Sequence, residues 1–172
     1  MTNQENEIRI YVACLAAYNN GILHGRWVNA HQDTDDIYAA IREMLKASPI
    51  AGAEEWAIHD YEGFEGLYIA EYQGIEQVAD FAAFIAEHGE LGAKLVNHYG
   101  SLDAARETLE DYYAGEYSSL ADFAQEMTES STTIPDSLRY YIDWESMARD
   151  MEINDVLAIH LGFDRVHVFW SH

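Results

Sequence analysis

Two long stretches of this chain carry acid and no base. Between Lys46 and Lys94 lie Glu54, Glu55, Asp60, Glu62, Glu65, Glu71, Glu76, Asp80, Glu87 and Glu90 without one Lys or Arg. Between Arg106 and Arg139 lie Glu107, Glu110, Asp111, Glu116, Asp122, Glu126, Glu129 and Asp136, again without a base. Ordinary surfaces mix the signs, because Glu–Lys pairs four apart support a helix and like pairs oppose it by a similar amount. Here Glu107, Glu110 and Asp111 stand at i, i+3, i+4, and Asp122, Glu126 and Glu129 at i, i+4, i+7, so each set shares one helix face. Self-repulsion of this kind weakens a compact state. A chain that keeps it is expected to use the field.

The rest of the composition says that the chain still folds. Of 172 residues 49% are apolar, with 12 Tyr, 6 Phe and 4 Trp, which a disordered acidic tail would lack. The formal net charge of −22 excludes binding to a phosphate backbone or an anionic membrane as the expected activity, since both need clustered Lys and Arg. Cys14 is the only cysteine, which excludes an internal disulfide and a multi-cysteine metal site. Its neighbours Val12, Ala13 and Leu15 predict a buried small hydrophobe. The polar, acidic start Met1–Glu7 does not read as a signal peptide, and no apolar run reaches membrane length, so the expected location is cytoplasmic.

Periodicity predicts an α+β chain. Residues 8–14 alternate as a strand, Tyr18–Gly21 is a turn signal, and a second strand near 24–30 completes a hairpin. A helix follows from Asp33 or Thr34 to about Ala47, with Ile37, Ala40, Ile41, Met44 and Leu45 on its apolar stripe. Trp56–Ile58 reads as a third strand. Residues 74–99 read as helical, with Gly89 as a stop. Ser101 caps a helix through Tyr113, Gly115 interrupts, and Ser119 with Asp122 opens a helix to about Glu129. Ser130–Thr133 before Pro135 is the linker candidate, 136–151 a broken helical stretch, and 156–160 and 165–170 two closing strands.

Three uses of the acidic field stay open on charge alone. One is solubility in a salt-loving host, which two lysines against seven arginines would fit, or a generic acidic module such as a chaperone for basic proteins. A second is cation binding. Asp33-Thr34-Asp35-Asp36 begins like a calcium loop but lacks its Gly and late Glu. The third is to fill a basic groove built for nucleic acid. At one charge per ~1.7 Å of duplex axis, a net −22 matches roughly 35–40 Å of duplex, and a two-fold dimer doubles that length. Catalytic signatures are not found. There is no G-x-S-x-G, no phosphate-cradling or dinucleotide glycine motif and no H-E-x-x-H, so neither catalytic residue, metal nor cofactor is expected.

Three segments, taken in order and spacing, carry a resemblance. They are Ile10–Gly21 running on to Gly25-Arg26-Trp27, then Glu55–Phe64, then Ile134–Asp150. Together they resemble the ArdA antirestriction proteins over nearly the whole chain. The resemblance implies an elongated chain of three small domains (α+β, mainly helical, α+β), here 1–61, 62–103 and 104–172. Their acids and bases number nine and four, eight and one, and fourteen and four. It implies a homodimer through the C-terminal domain. It also implies mimicry of B-form DNA that inhibits type I restriction-modification enzymes at their DNA-binding methyltransferase core. The candidate phosphate mimics are Glu62, Glu65, Glu71, Glu76, Asp80, Glu87, Glu90, Glu107, Glu110, Asp111, Glu116, Asp122, Glu126 and Glu129. Tyr140, Tyr141, Trp144 and Met147 are candidates for the self-contact, with closure of the domain's own core as the alternative.

Overall fold

A computed structural model describes residues 7–172, so the reading of Met1–Asn6 falls outside the described residues. Two compact units divide the chain after Asn97. In the first, β1 (Arg9–Cys14), β2 (Gly25–Asn29) and β3 (Trp56–Glu62) form an antiparallel sheet in the order β2-β1-β3. The alternation seen in the sequence is why β1 is central. Its Ile10, Val12 and Cys14 are fully buried. The thiol of Cys14 lies 3.3 Å from the Ser48 hydroxyl. A one-turn helix α1 (Leu15–Asn19) takes in Tyr18 and Asn19 of the expected turn and leaves Asn20 and Gly21 to make it, and α2 (Thr34–Lys46) buries Ile37, Ile41 and Met44, three of the five stripe residues. Burial of three such side chains is worth several kcal/mol by the usual ~1.5–3 kcal/mol each.

The sheet holds one irregularity. Tyr11 pairs with Asp60 but Val12 with Ile58, so His59 is the extra residue of a bulge and strict alternation fails there. The Ile58 amide donates to the Glu71 carbonyl (2.9 Å), which brings the segment around residue 71 beside β3. The helical region α3 (Ile75–Tyr99) is broken at Gly89. With φ 60° and ψ −143° that residue occupies a region open essentially to glycine alone, as the expected stop requires.

The second unit runs from His98 to His172. It contains α4 (Leu102–Asp111), β4 (Tyr113–Tyr117), α5 (Leu120–Ser131), a 3-10 turn (Arg139–Tyr141), α6 (Trp144–Asn154), β5 (Val156–His160) and β6 (Val166–Trp170). Its antiparallel sheet has the order β4-β6-β5. Leu120, Phe123 and Ala124 of α5 and Ala148 of α6 pack with Val156, Val166 and Val168 of the sheet. Two expectations are corrected here. The helix from Ser101 ends at Asp111, and β4 stands where helix and interruption were read. Its Gly115 sits at a bulge against β6, a partner some fifty residues away that local pattern could not supply. The linker candidate also shifts: Ser130 and Ser131 complete α5, inside the second unit.

Candidate partner-binding surface

Every Asp and Glu among the described residues is exposed, including all fourteen candidates. This is the cheap place for a carboxylate, because removal from water without a partner costs several kcal/mol. What separates the acids is the company each one keeps.

In the first unit folding brings partners. Arg9, from 53 residues away, donates through Nε and Nη2 to Glu62 (2.9 and 2.7 Å), and its guanidinium lies 4.4 Å from the centre of the Trp27 ring. Glu71 lies 3.6 Å from His59, the bulged residue, whose ring also meets Tyr18 edge-on. Glu76 accepts from the Tyr38 hydroxyl (3.2 Å). Burial first, and then that carboxylate, raise the Tyr38 pKa. Glu87 lies 3.7 Å from His88, and Glu90 3.6 Å from Lys94. Glu65, at φ 55°, and Asp80 are exposed and enter none of the ion pairs seen among the described residues. At about 100° per residue Glu76, Asp80 and Glu87 fall within ~40° of one another on α3.

The second unit does the opposite. The Ser101 hydroxyl accepts from the Ala104 amide and starts α4, which turns Ala105 and Thr108 inward. Glu107, Glu110 and Asp111 are therefore left on its open side. Ser119 accepts from the Asp122 amide (3.1 Å) and starts α5. With Leu120, Phe123 and Ala124 buried, Asp122, Glu126 and Glu129 face out. None of the ion pairs seen among the described residues uses any of these six acids. Their partners are neutral where they exist. Gln125 donates to Glu129 (3.1 Å), and a hydrogen bond to Glu126, with some burial, pushes the Tyr117 hydroxyl up to about 12. Glu110 and Asp111 also occupy the last turn of α4, where the helix dipole disfavours anions and where no base stands.

Along α5 the rise of 1.5 Å per residue sets Asp122, Glu126 and Glu129 about 6 and 4.5 Å apart, against ~3.4 Å per charge on one strand of a duplex. Asp122, Glu126 and Glu129 line one shallow groove of about 620 Å³ with Tyr117, Gln125 and Ser130. Glu116 is the exception among the candidates of this unit. Arg165 Nε donates to it at 2.7 Å, and that hydrogen bond holds its carboxyl below the usual range. The arrangement can attract guanidinium and ammonium groups.

Asp33, Asp35 and Asp36 form the N-cap and first turn of α2, a placement the helix dipole favours, which gives this acid run a structural reason other than a calcium loop. Among the described residues no group of three or more His, Cys, Asp or Glu is placed to hold a metal. No helix of the described residues is long and apolar enough to cross a membrane.

The four aromatic and thioether candidates part company. Tyr140 and Tyr141 stand in the 3-10 turn, 92% and 85% exposed. Trp144 is half-buried, and Met147 packs against the second unit's own core, its sulfur accepting from Thr128. Leu138, Ile153 and Phe163 are also exposed apolar residues of this unit, and local pattern did not single them out. His167, likewise missed, is buried. Its Nδ1 lies 2.7 Å from the Tyr113 hydroxyl, and its Nε2 has no hydrogen-bond partner among the described residues.

The family model described as antirestriction protein (ArdA) matches residues 10–165, a span that holds all fourteen acids and the four self-contact candidates. No curated protein matches the chain.

Proposed function

Because this chain belongs to the ArdA family of antirestriction proteins, we propose that it acts as an acidic mimic of B-form DNA. In this reading it occupies the DNA-binding groove of a type I restriction-modification enzyme and inhibits it without catalysis or cofactor. The observation that carries the reading is the set of six exposed carboxylates on α4 and α5 outside every ion pair seen among the described residues. Two of them are held against the helix dipole. Placed where phosphates go, such groups pair with the enzyme's Lys and Arg. The gain is electrostatic, fast to form and weakened by salt.

The division at 61 and 103, the homodimer through the C-terminal segment and a cytoplasmic site of action belong to the same proposal. Exposed Tyr140 and Tyr141 support a self-contact on that segment, whereas Met147 contributes to the unit's own core. The test is inhibition of DNA binding by a purified type I methyltransferase core. Displacement at low salt that fades as salt rises is the expected result. Equal binding to histone-like proteins and simple polycations, with no preference for the methyltransferase, would favour a generic acidic module instead.

A further inference from the structure

Seven of the nine bases are engaged. Arg9, Arg26, Lys94, Arg106, Arg139 and Arg165 meet carboxylates, and Arg149 donates to Ser146. The other two, Arg42 and Lys46, have no hydrogen-bond or ion-pair partner among the described residues. In a chain with 31 acids that is an unexpected place to find spare cations. They are also neighbours, one turn apart on α2, where like charges oppose each other by a few tenths of a kcal/mol. Lys46 gains from the dipole in the last turn of α2, but Arg42 lies one turn further in, where that effect has faded.

Both line one cleft of about 420 Å³, between the end of α2 and residues 48–54. Its apolar lining comes from Leu45, Ile50, Ala51 and Ala53. The size falls within the usual range for small-ligand sites, roughly 300–1,000 Å³. Gly52 turns the loop at φ 73°, and a Cβ there would meet nothing within 4 Å, so the rim stands open. One acid, Glu54, lines the cleft, while nearby Glu43 is taken by Arg26 at 3.2 Å.

We propose that this cleft binds a small amphipathic carboxylate. The anionic head meets the Arg42 fork and the Lys46 ammonium, and the hydrocarbon body lies on Leu45, Ile50 and Ala53. Elsewhere the surface repels anions. The two cations outnumber Glu54, the one acid of the lining, and a screening length near 8 Å at physiological salt weakens the acids further off. The site is independent of the antirestriction reading and can fail without touching it.

Fluorescence titration with anilinonaphthalene sulfonate, displaced by decanoate, is the test. One saturable site is expected, with displacement by decanoate and none by decyltrimethylammonium. Arg42→Gln/Lys46→Gln, with unchanged circular dichroism, should weaken the probe about tenfold or more, as loss of a charge-assisted contact does. If that variant does not fold, amide shifts in the wild-type chain decide. Decanoate-induced shifts confined to residues 42–54 support the site, and shifts elsewhere overturn it. Wild-type affinity in the double variant, or sedimentation with phosphatidylglycerol vesicles in preference to decanoate binding, also overturns it.

Discussion

The acids between Glu62 and Glu90 and those between Glu107 and Glu129 look alike as sequence, and the fold treats them differently. In the first set Glu62, Glu71, Glu87 and Glu90 lie beside Arg9, His59, His88 and Lys94, and Glu76 accepts from Tyr38. In the second, Glu116 alone meets a cation, and the neutral donors Tyr117 and Gln125 do nothing to cancel charge. Acid count therefore does not measure availability. A carboxylate already beside a guanidinium must give it up before it can serve another. Glu107, Glu110, Asp111, Asp122, Glu126 and Glu129 have no cation among the described residues to give up.

The largest expected effect separates the two sets directly. Changing Glu107, Glu110, Asp111, Asp122, Glu126 and Glu129 to their amides should weaken inhibition of a type I enzyme about 100-fold. That follows if each exposed pair with the target is worth ~0.3–0.6 kcal/mol. The matching change of Glu62, Glu71, Glu76, Glu87 and Glu90 should cost tenfold or less. Inhibition assays on the two variants, with circular dichroism as the folding check, read the difference. Equal losses would erase the contrast.

Stability should move in opposite directions, by smaller amounts. Glu110→Gln and Asp111→Asn relieve like-charge and dipole repulsion and should each stabilise by about half a kcal/mol. Glu62→Gln breaks the contact with Arg9 and should destabilise by up to ~1 kcal/mol. Urea denaturation of the three variants checks the signs.

These differences mark what local pattern could reveal. Ser101 and Ser119 as caps, the stop at Gly89 and the apolar stripe of α2 are short-range features, and each stands where the sequence put it. The partners of Glu62 and Glu116 lie 53 and 49 residues away, and the strand β4 exists through pairing with β6. No spacing rule reaches so far. The 3-10 turn at Arg139–Tyr141 breaks the helical phase, so Tyr140 and Met147 could not be assigned to opposite environments beforehand.

Two titrations sharpen the second unit's side of the contrast. Burial keeps His167 neutral and lowers its pKa below 6.5. Its contribution is complete above 6.5 and is lost as pH falls through the folded pKa, so thermal midpoints should drop as pH falls below 6.5. His167→Gln should flatten that slope; an unchanged slope would assign it to other groups. The smallest effect is at Tyr117. Its bond to Glu126 favours the neutral phenol, so the stabilisation is complete below 10.0 and is lost as pH rises towards about 12. Glu126→Gln should bring the ultraviolet titration of Tyr117 back towards 10.0.

Equilibrium competition probes the central claim most directly. A labelled duplex bound to a type I methyltransferase core is titrated with this protein at low salt and again at raised salt. Complete displacement of the duplex is the predicted result, with a midpoint that shifts about 100-fold in the α4–α5 amide variant at low salt and by less at raised salt. A ternary complex that retains the duplex, or displacement that the amide variant matches, would contradict it.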